Sequence, residues 1–124
     1  MTPTSRTLKL LRDEGKVAEV SERWNSFTRQ RKDLFGFIDI VALDIKTSTT
    51  WGIQCTSTGN MKARINKICV ECKSNAEAWL GAGNKIEVIG WSKKGKKGKR
   101  KLWQVTRKTI TIDDITSTHP PHQT

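Results

Sequence analysis

Hydrophobic residues fall in short alternating or continuous runs over most of the chain and at helical spacing in two places. Gly36-Phe37-Ile38-Asp39-Ile40-Val41-Ala42-Leu43 is an apolar run broken by one acid, and Trp51-Gly52-Ile53-Gln54-Cys55-Thr56-Ser57 follows after the polar stretch 45–50. Two apolar strands joined by a polar turn pair antiparallel, so residues whose numbers sum to about twice the turn centre face each other. Asp39 then lies opposite Gln54, within one residue. Alternate side chains of a strand share a face, so Gln54 and Thr56 project together and Asp39 joins them from the neighbouring strand.

Ahead of this hairpin, Pro3 suits the first turn of a helix, Leu8 and Leu11 share a face, and Gly15 offers a left-handed stop. Residues 16–24 read as a strand in which Ala18, Val20 and Trp24 alternate with Glu19, Ser21 and Arg23. Residues 25–34 form a basic connection. Behind the hairpin, Met61, Ile65, Ile68, Cys72, Ala76, Trp79 and Leu80 recur at helical spacing after the capping-rich Ser57-Thr58-Gly59-Asn60, and Gly81 and Gly83 end the helix. Lys85 to Trp91 is a strand that must run parallel to the one before the helix if both share a sheet, which implies a right-handed crossover. Leu102 to Thr109 is a further strand, and the tail 117–124 reads as disordered. There are no internal repeats. The order α-β-β-β-α-β-β predicts a single α/β domain over 1–116, a mixed sheet flanked by helices.

The 124 residues suffice for one modest core. Twenty-three Lys and Arg against twelve Asp and Glu give a formal charge of +11, which points to a polyanionic partner, nucleic acid first. Seven of the nine residues in Lys93–Lys101, KKGKKGKRK, are basic and the other two are glycines, a composition suited to an arm that touches phosphates without reading sequence. The plainer reading is a solvated turn. Arg29, Arg31 and Lys32 form a second basic cluster, and Lys67 lies on the predicted helix. Trp91 and Trp103 flank the lysine run; such residues can stack on bases, but cross-strand or core packing is their commoner use. No apolar run approaches the roughly 20 residues of a membrane span, and the first residues lack the apolar stretch of a signal peptide, so a cytoplasmic location is expected with no membrane partner. Three cysteines in such a chain argue for reduced thiols. Cys69 and Cys72 make a C-x-x-C inside a helix with no second pair, so buried thiols are expected in place of zinc or redox chemistry. His119 and His122 have no assigned role. No Gly-rich phosphate loop or nucleophile elbow is present.

The element order, with Asp39 on one strand and Gln54-Cys55-Thr56 ending the next, resembles the PD-(D/E)XK nuclease superfamily, Holliday-junction resolvases in particular. The resemblance implies a restriction-endonuclease-like fold and a metal-dependent endonuclease acting on DNA, with branched or junction DNA as one substrate. By position Asp39 matches the family's metal-binding Asp, Gln54 the Glu of its second motif, and Thr56 its Lys. A hard Mg²⁺ or Mn²⁺ ion takes about six oxygens, and a carboxylate, an amide carbonyl, phosphate oxygens and waters can supply them. Because Gln54 is uncharged, another acid, Asp33, Glu22 or Glu14, is expected to contribute. Because Thr56 has no positive charge, Lys62, Arg64 or Lys67 is expected to replace the lysine. The family's early helix-one acid is absent, since Thr4, Ser5 and Arg6 stand there. A homodimer is expected with a branched substrate, where two strands are cut in matched places. The competing reading keeps the fold with a decayed site: a catalytically inactive module that binds DNA or RNA electrostatically.

Overall fold

The computed structural model describes residues 1–21 and 23–116, the stretch 23–25 by its backbone. Glu22, the Trp24 side chain and the tail with His119 and His122 lie outside the described residues.

The first helix, α1 (Pro3–Asp13), starts where the sequence predicts. Thr2 and Ser5 form a reciprocal capping box, in which the Ser5 N–H donates to Thr2 Oγ1 at 3.1 Å and the Thr2 N–H to Ser5 Oγ at 2.9 Å. These bonds satisfy donors that no helical turn can reach. The strands are β1 (Val17–Val20), β2 (Arg23–Asn25), β3 (Gln30–Lys32), β4 (Ile40–Asp44), β5 (Thr49–Ser57), β6 (Lys85–Lys94) and β7 (Leu102–Ile110). Five of them form a mixed sheet in the order β1-β4-β5-β6-β7, and β2 and β3 make a separate two-stranded ribbon. Only the β5–β6 pair is parallel, bridged by α2 (Met61–Asn66), a π turn (Lys67–Glu71) and α3 (Lys73–Gly81). A last helix, α4 (Ile112–Thr116), follows β7.

The sheet is covered on both faces, so the architecture is mixed α/β. Leu11 of α1 meets Ala18, Ile40, Ala42, Ile53, Cys55 and Ile89 on one face, with Leu8, Trp51 and Trp91 at its margin. On the other, Ile68, Cys69, Ala76 and Ile115 of the last helix cover Ile38, Ile86, Val88 and Ile110. Because alternate residues of β6 serve opposite faces, Ile86 and Val88 fall in the second cluster and Ile89 in the first. No helix among the described residues is long and apolar enough to cross a membrane.

Three departures from the predicted elements have local causes. The strand predicted over 16–24 stops at Val20, because its partner β4 begins at Ile40, the residue paired with Val20. The chain then turns off into the β2–β3 ribbon, which occupies the basic connection. Val20 is exposed, not buried as the alternation predicts, because it lies outside the cluster under α1 that buries Ala18 on the same strand. The helix predicted over 61–80 is interrupted by the π turn, which ends with the Cys72 N–H donating to Lys67 O at 2.8 Å. Finally, residues 36–39 are a turn and not strand: Gly36 has φ +87° and the Leu34 N–H donates to Ile38 O at 3.1 Å.

Gly90 marks a close approach between the sheet and the start of α2. A Cβ there would come within 2.6 Å of Met61 Cγ and 3.0 Å of Thr58 Cα, and would also strike Met61 Sδ. Met61 can rotate, but the Thr58 backbone cannot yield cheaply. Gly90→Ala is therefore expected to destabilise the fold by about 1–3 kcal/mol, read as a lower thermal midpoint; an unchanged midpoint would show that the contact relaxes at no cost.

Candidate nucleic-acid and metal site

The β4–β5 register is the one the turn predicts: Ile40 faces Ile53, Val41 faces Gly52 and Asp44 faces Thr49, so Asp39 comes opposite Gln54 one residue beyond the ladder. The Asp39 N–H donates to Ile53 O at 2.8 Å, and the Ser21 N–H donates to Asp39 O at 2.8 Å. With its backbone fixed on both sides, the carboxylate turns onto β5. Asp39 Oδ2 accepts from Gln54 Nε2 at 2.7 Å and from the Cys55 N–H at 2.8 Å. The second bond takes a backbone donor that β4 no longer extends far enough to reach.

That geometry orients the Gln54 amide. Since an NH₂ must face the carboxylate, Oε1 is turned away, and it is buried with no hydrogen-bond partner among the described residues. An unpaired buried carbonyl is costly, on the order of 1–3 kcal/mol, unless something outside the protein's own groups meets it. Asp39, Gln54 and Thr56 are 6%, 2% and 5% exposed. A carboxylate and an amide carbonyl are ligand types that suit a hard divalent cation, with a net charge of only −1 from the pair, but the amide presents Nε2 and not Oε1 to Asp39, so a shared ion requires it to turn over.

The other predicted ligands and cations are less closely gathered. Asp33 is half-buried in the turn ahead of Asp39, where its carbonyl accepts from the Gly36 N–H at 3.0 Å. Among the described residues no group of three or more acidic, histidine or cysteine side chains is placed to hold a metal ion. Glu14 is engaged elsewhere, at the C-terminal end of α1, where it takes Arg107 Nη1 at 2.6 Å and Lys16 Nζ at 2.9 Å. Burial raises its carboxyl, but the hydrogen bonds from Arg107 and Lys16 outweigh that and hold it below the ordinary value. Arg107 also forks onto Glu87, at 2.9 and 3.0 Å, and that pair holds the guanidinium's proton more tightly than usual.

Of the cations proposed to replace the motif lysine, Lys62 is exposed on α2 beside a concavity of ≈ 520 Å³ that Gly59, Asn66 and Cys69 also line. Arg64 is half-buried on the same helix, and Lys67 sits in the π turn close enough to pull the Cys72 thiol down against the larger effect of burial. Burial pushes the Cys55 thiol up to about 12, with the Asp39 and Asp33 charges pushing it further up and the neighbouring Thr7 and Thr4 hydroxyls of α1 acting the other way. Cys55 therefore remains a thiol at neutral pH, and only its backbone takes part in the site.

Two basic segments leave the sheet at this end, the β6–β7 turn and the β2–β3 ribbon. β6 runs past the last β5 partner, Ser57 opposite Trp91, so Ser92 to Lys94 and the turn that follows project beyond β5 with β7 alone beside them. Lys93, Lys94, Lys96, Lys97, Lys99, Arg100 and Lys101 are all exposed. Arg29, with φ +53°, turns the β2–β3 ribbon, and Arg31 and Lys32 are exposed on β3. The two tryptophans part company. Trp91 packs beside the α1-side core and donates from Nε1 to Thr7 Oγ1 at 2.9 Å. Trp103 is 44% exposed, with the Arg6 guanidinium 3.7 Å from its ring centroid and Lys93 Nζ at 5.8 Å. Lys93 opposite Trp103 is readable from a turn centred on Gly98; Arg6, 97 positions away, carries no sequence signal for this contact.

Compared with known proteins, the chain matches no family model, no curated protein and no solved structure.

Proposed function

We propose that this chain is a DNA-binding endonuclease of restriction-endonuclease-like architecture, hydrolysing phosphodiesters with Mg²⁺ or Mn²⁺ held by Asp39 and Gln54. The observation that carries this reading is the buried contact of the Gln54 amide with the Asp39 carboxylate, in which Gln54 Oε1 has no partner among the described residues; a cation held by both requires the amide to turn over, so that Oε1 replaces Nε2 beside Asp39. When bound, the cation would supply charge for the phosphate and a more acidic water as nucleophile. Asp39 contributes the negative charge and fixes the amide; Gln54 contributes a neutral oxygen. Thr56, in the family's lysine position, contributes no charge, so Lys62 or Arg64 takes the task of neutralising the phosphate. Lys67, the exposed hairpin cations and Arg29, Arg31 and Lys32 hold the backbone of the nucleic acid. A branched substrate would go with a symmetric homodimer.

A second reading is favoured by the near-complete burial of Asp39, Gln54 and Thr56 and by the two donors already on Asp39 Oδ2. In it the carboxylate closes the end of the β4–β5 ladder, and the protein binds DNA or RNA without cutting. Incubating labelled duplex, single-stranded and four-way-junction DNA with Mg²⁺, with Mn²⁺ or with EDTA separates the two. Metal-dependent cutting is expected; binding with no cutting under any metal would leave the second reading.

A further inference from the structure

We infer that the cavity under the β6–β7 hairpin, ≈ 460 Å³ and lined by Lys93, Arg100, Lys101, Leu102 and Trp103, takes an unpaired nucleotide, its base stacked on Trp103 and its phosphates on the surrounding cations. The inference rests on nucleic-acid binding as proposed above and adds the form of the ligand. The volume lies within the roughly 300–1,000 Å³ of small-ligand sites. An indole 44% exposed at the mouth of a cationic cavity is an expensive surface to leave in water unless something covers it.

Arg6 gives the ring its orientation. Its guanidinium lies 3.7 Å from the Trp103 centroid, within stacking distance, and its Nε is buried without a hydrogen-bond partner. The charge is thus directed at the ring instead of being spent on a carboxylate through that nitrogen. The guanidinium occupies one face of the indole and Arg6 does not line the cavity, so the opposite face is the one offered to a base, and Lys93, opposite Trp103 in the ladder, adds a second positive charge at 5.8 Å. Such a platform accepts any base, because every base has a π face. In a duplex those faces are covered by neighbouring pairs. Duplex DNA can therefore engage the lysines but not the indole, and the site distinguishes single-stranded or branched nucleic acid from continuous duplex by stacking alone.

The test is fluorescence anisotropy in EDTA near 0.1 M salt, with labelled oligothymidylate, the same strand carrying abasic positions, and a duplex of equal length. Trp103→Leu is expected to weaken the single strand about tenfold, as loss of one stacked base does, and the duplex by less than about twofold. Trp103→Phe should retain most of the affinity. Abasic positions should weaken binding to the wild-type chain and make no further difference to Trp103→Leu. Equal losses on strand and duplex, or wild-type indifference to abasic positions, would overturn the inference while leaving electrostatic binding intact. Failure of the wild-type chain to bind any of the three would overturn it together with the nucleic-acid reading beneath it. Should Trp103→Leu not fold, judged by its thermal midpoint, the wild-type comparison of intact and abasic strands decides alone.

Discussion

Asp39→Asn is expected to reduce metal-dependent cleavage by at least about 100-fold, the order seen when one electrostatic group is removed from a reaction centre, while binding measured in EDTA stays within about twofold. The isosteric amide keeps an oxygen for the Cys55 N–H or the Gln54 amide, so most of the local bonding can persist at a cost of about 1–2 kcal/mol. What disappears is the only charge of the proposed cation pair. Asp39→Ala is the poorer experiment, because it strands both donors in the interior and confuses lost chemistry with lost structure. Calorimetric titration with Mn²⁺ supplies an independent reading: the wild-type chain should take up the ion and the Asn variant should not. Cleavage surviving in Asp39→Asn would remove Asp39 from the reaction.

The second large effect concerns the hairpin tip. Replacing Lys96, Lys97 and Lys99 by Gln should weaken duplex binding by about 10²–10³-fold near 0.1 M salt and make the log–log salt slope shallower by about 2.7, the share of three phosphate contacts. These side chains are exposed, so the fold should not respond. A slope unchanged by the triple substitution would mean that the tip is only a solvated turn and that phosphates are met elsewhere, with Arg29, Arg31 and Lys32 next in line.

Much of the arrangement was legible because it follows from short-range geometry. A polar turn between two apolar runs sets a register, and that register brought Asp39 to Gln54. Pro3 and Gly15 bounded α1 correctly. The parallel relation of β5 and β6 followed from one intervening helical segment. What escaped was decided by partners distant in sequence. Nothing in 16–24 announces that β1 must stop at Val20; the limit comes from where β4 begins, twenty residues on. The helical spacing across Ile68 and Cys72 is compatible with a π turn, since a single extra residue per turn barely disturbs the burial of Ile68, Cys69 and Ala76. The β2–β3 ribbon has no apolar alternation to advertise it, and α4 is only five residues long. At the site, the sequence indicated that Asp39 and Gln54 are neighbours but not that the amide would give its NH₂, and not its oxygen, to Asp39, a choice made by the carboxylate's charge. It also placed the acids of the chain on equal terms, whereas Arg107 had already claimed Glu14 and Glu87.

The β6–β7 hairpin is held at its root and along its length but not at its tip. Nine ladder pairs run from Ile86 opposite Ile110 to Lys94 opposite Leu102, Arg107 ties β7 to Glu87 and Glu14, and Ile110 and Ile115 are in the core. A protease that cuts after basic residues would find its targets concentrated at 96–101, where severing the backbone removes no packing. The nicked molecule should stay together as two non-covalent pieces that co-elute in native buffer and separate only in denaturant; immediate loss of the smaller piece would show that the tip, not the root, holds β7. In such a molecule covalent continuity through the most charged stretch of the chain is dispensable for the fold, and the tip becomes a place where segments can be opened, lengthened or exchanged without disturbing the sheet.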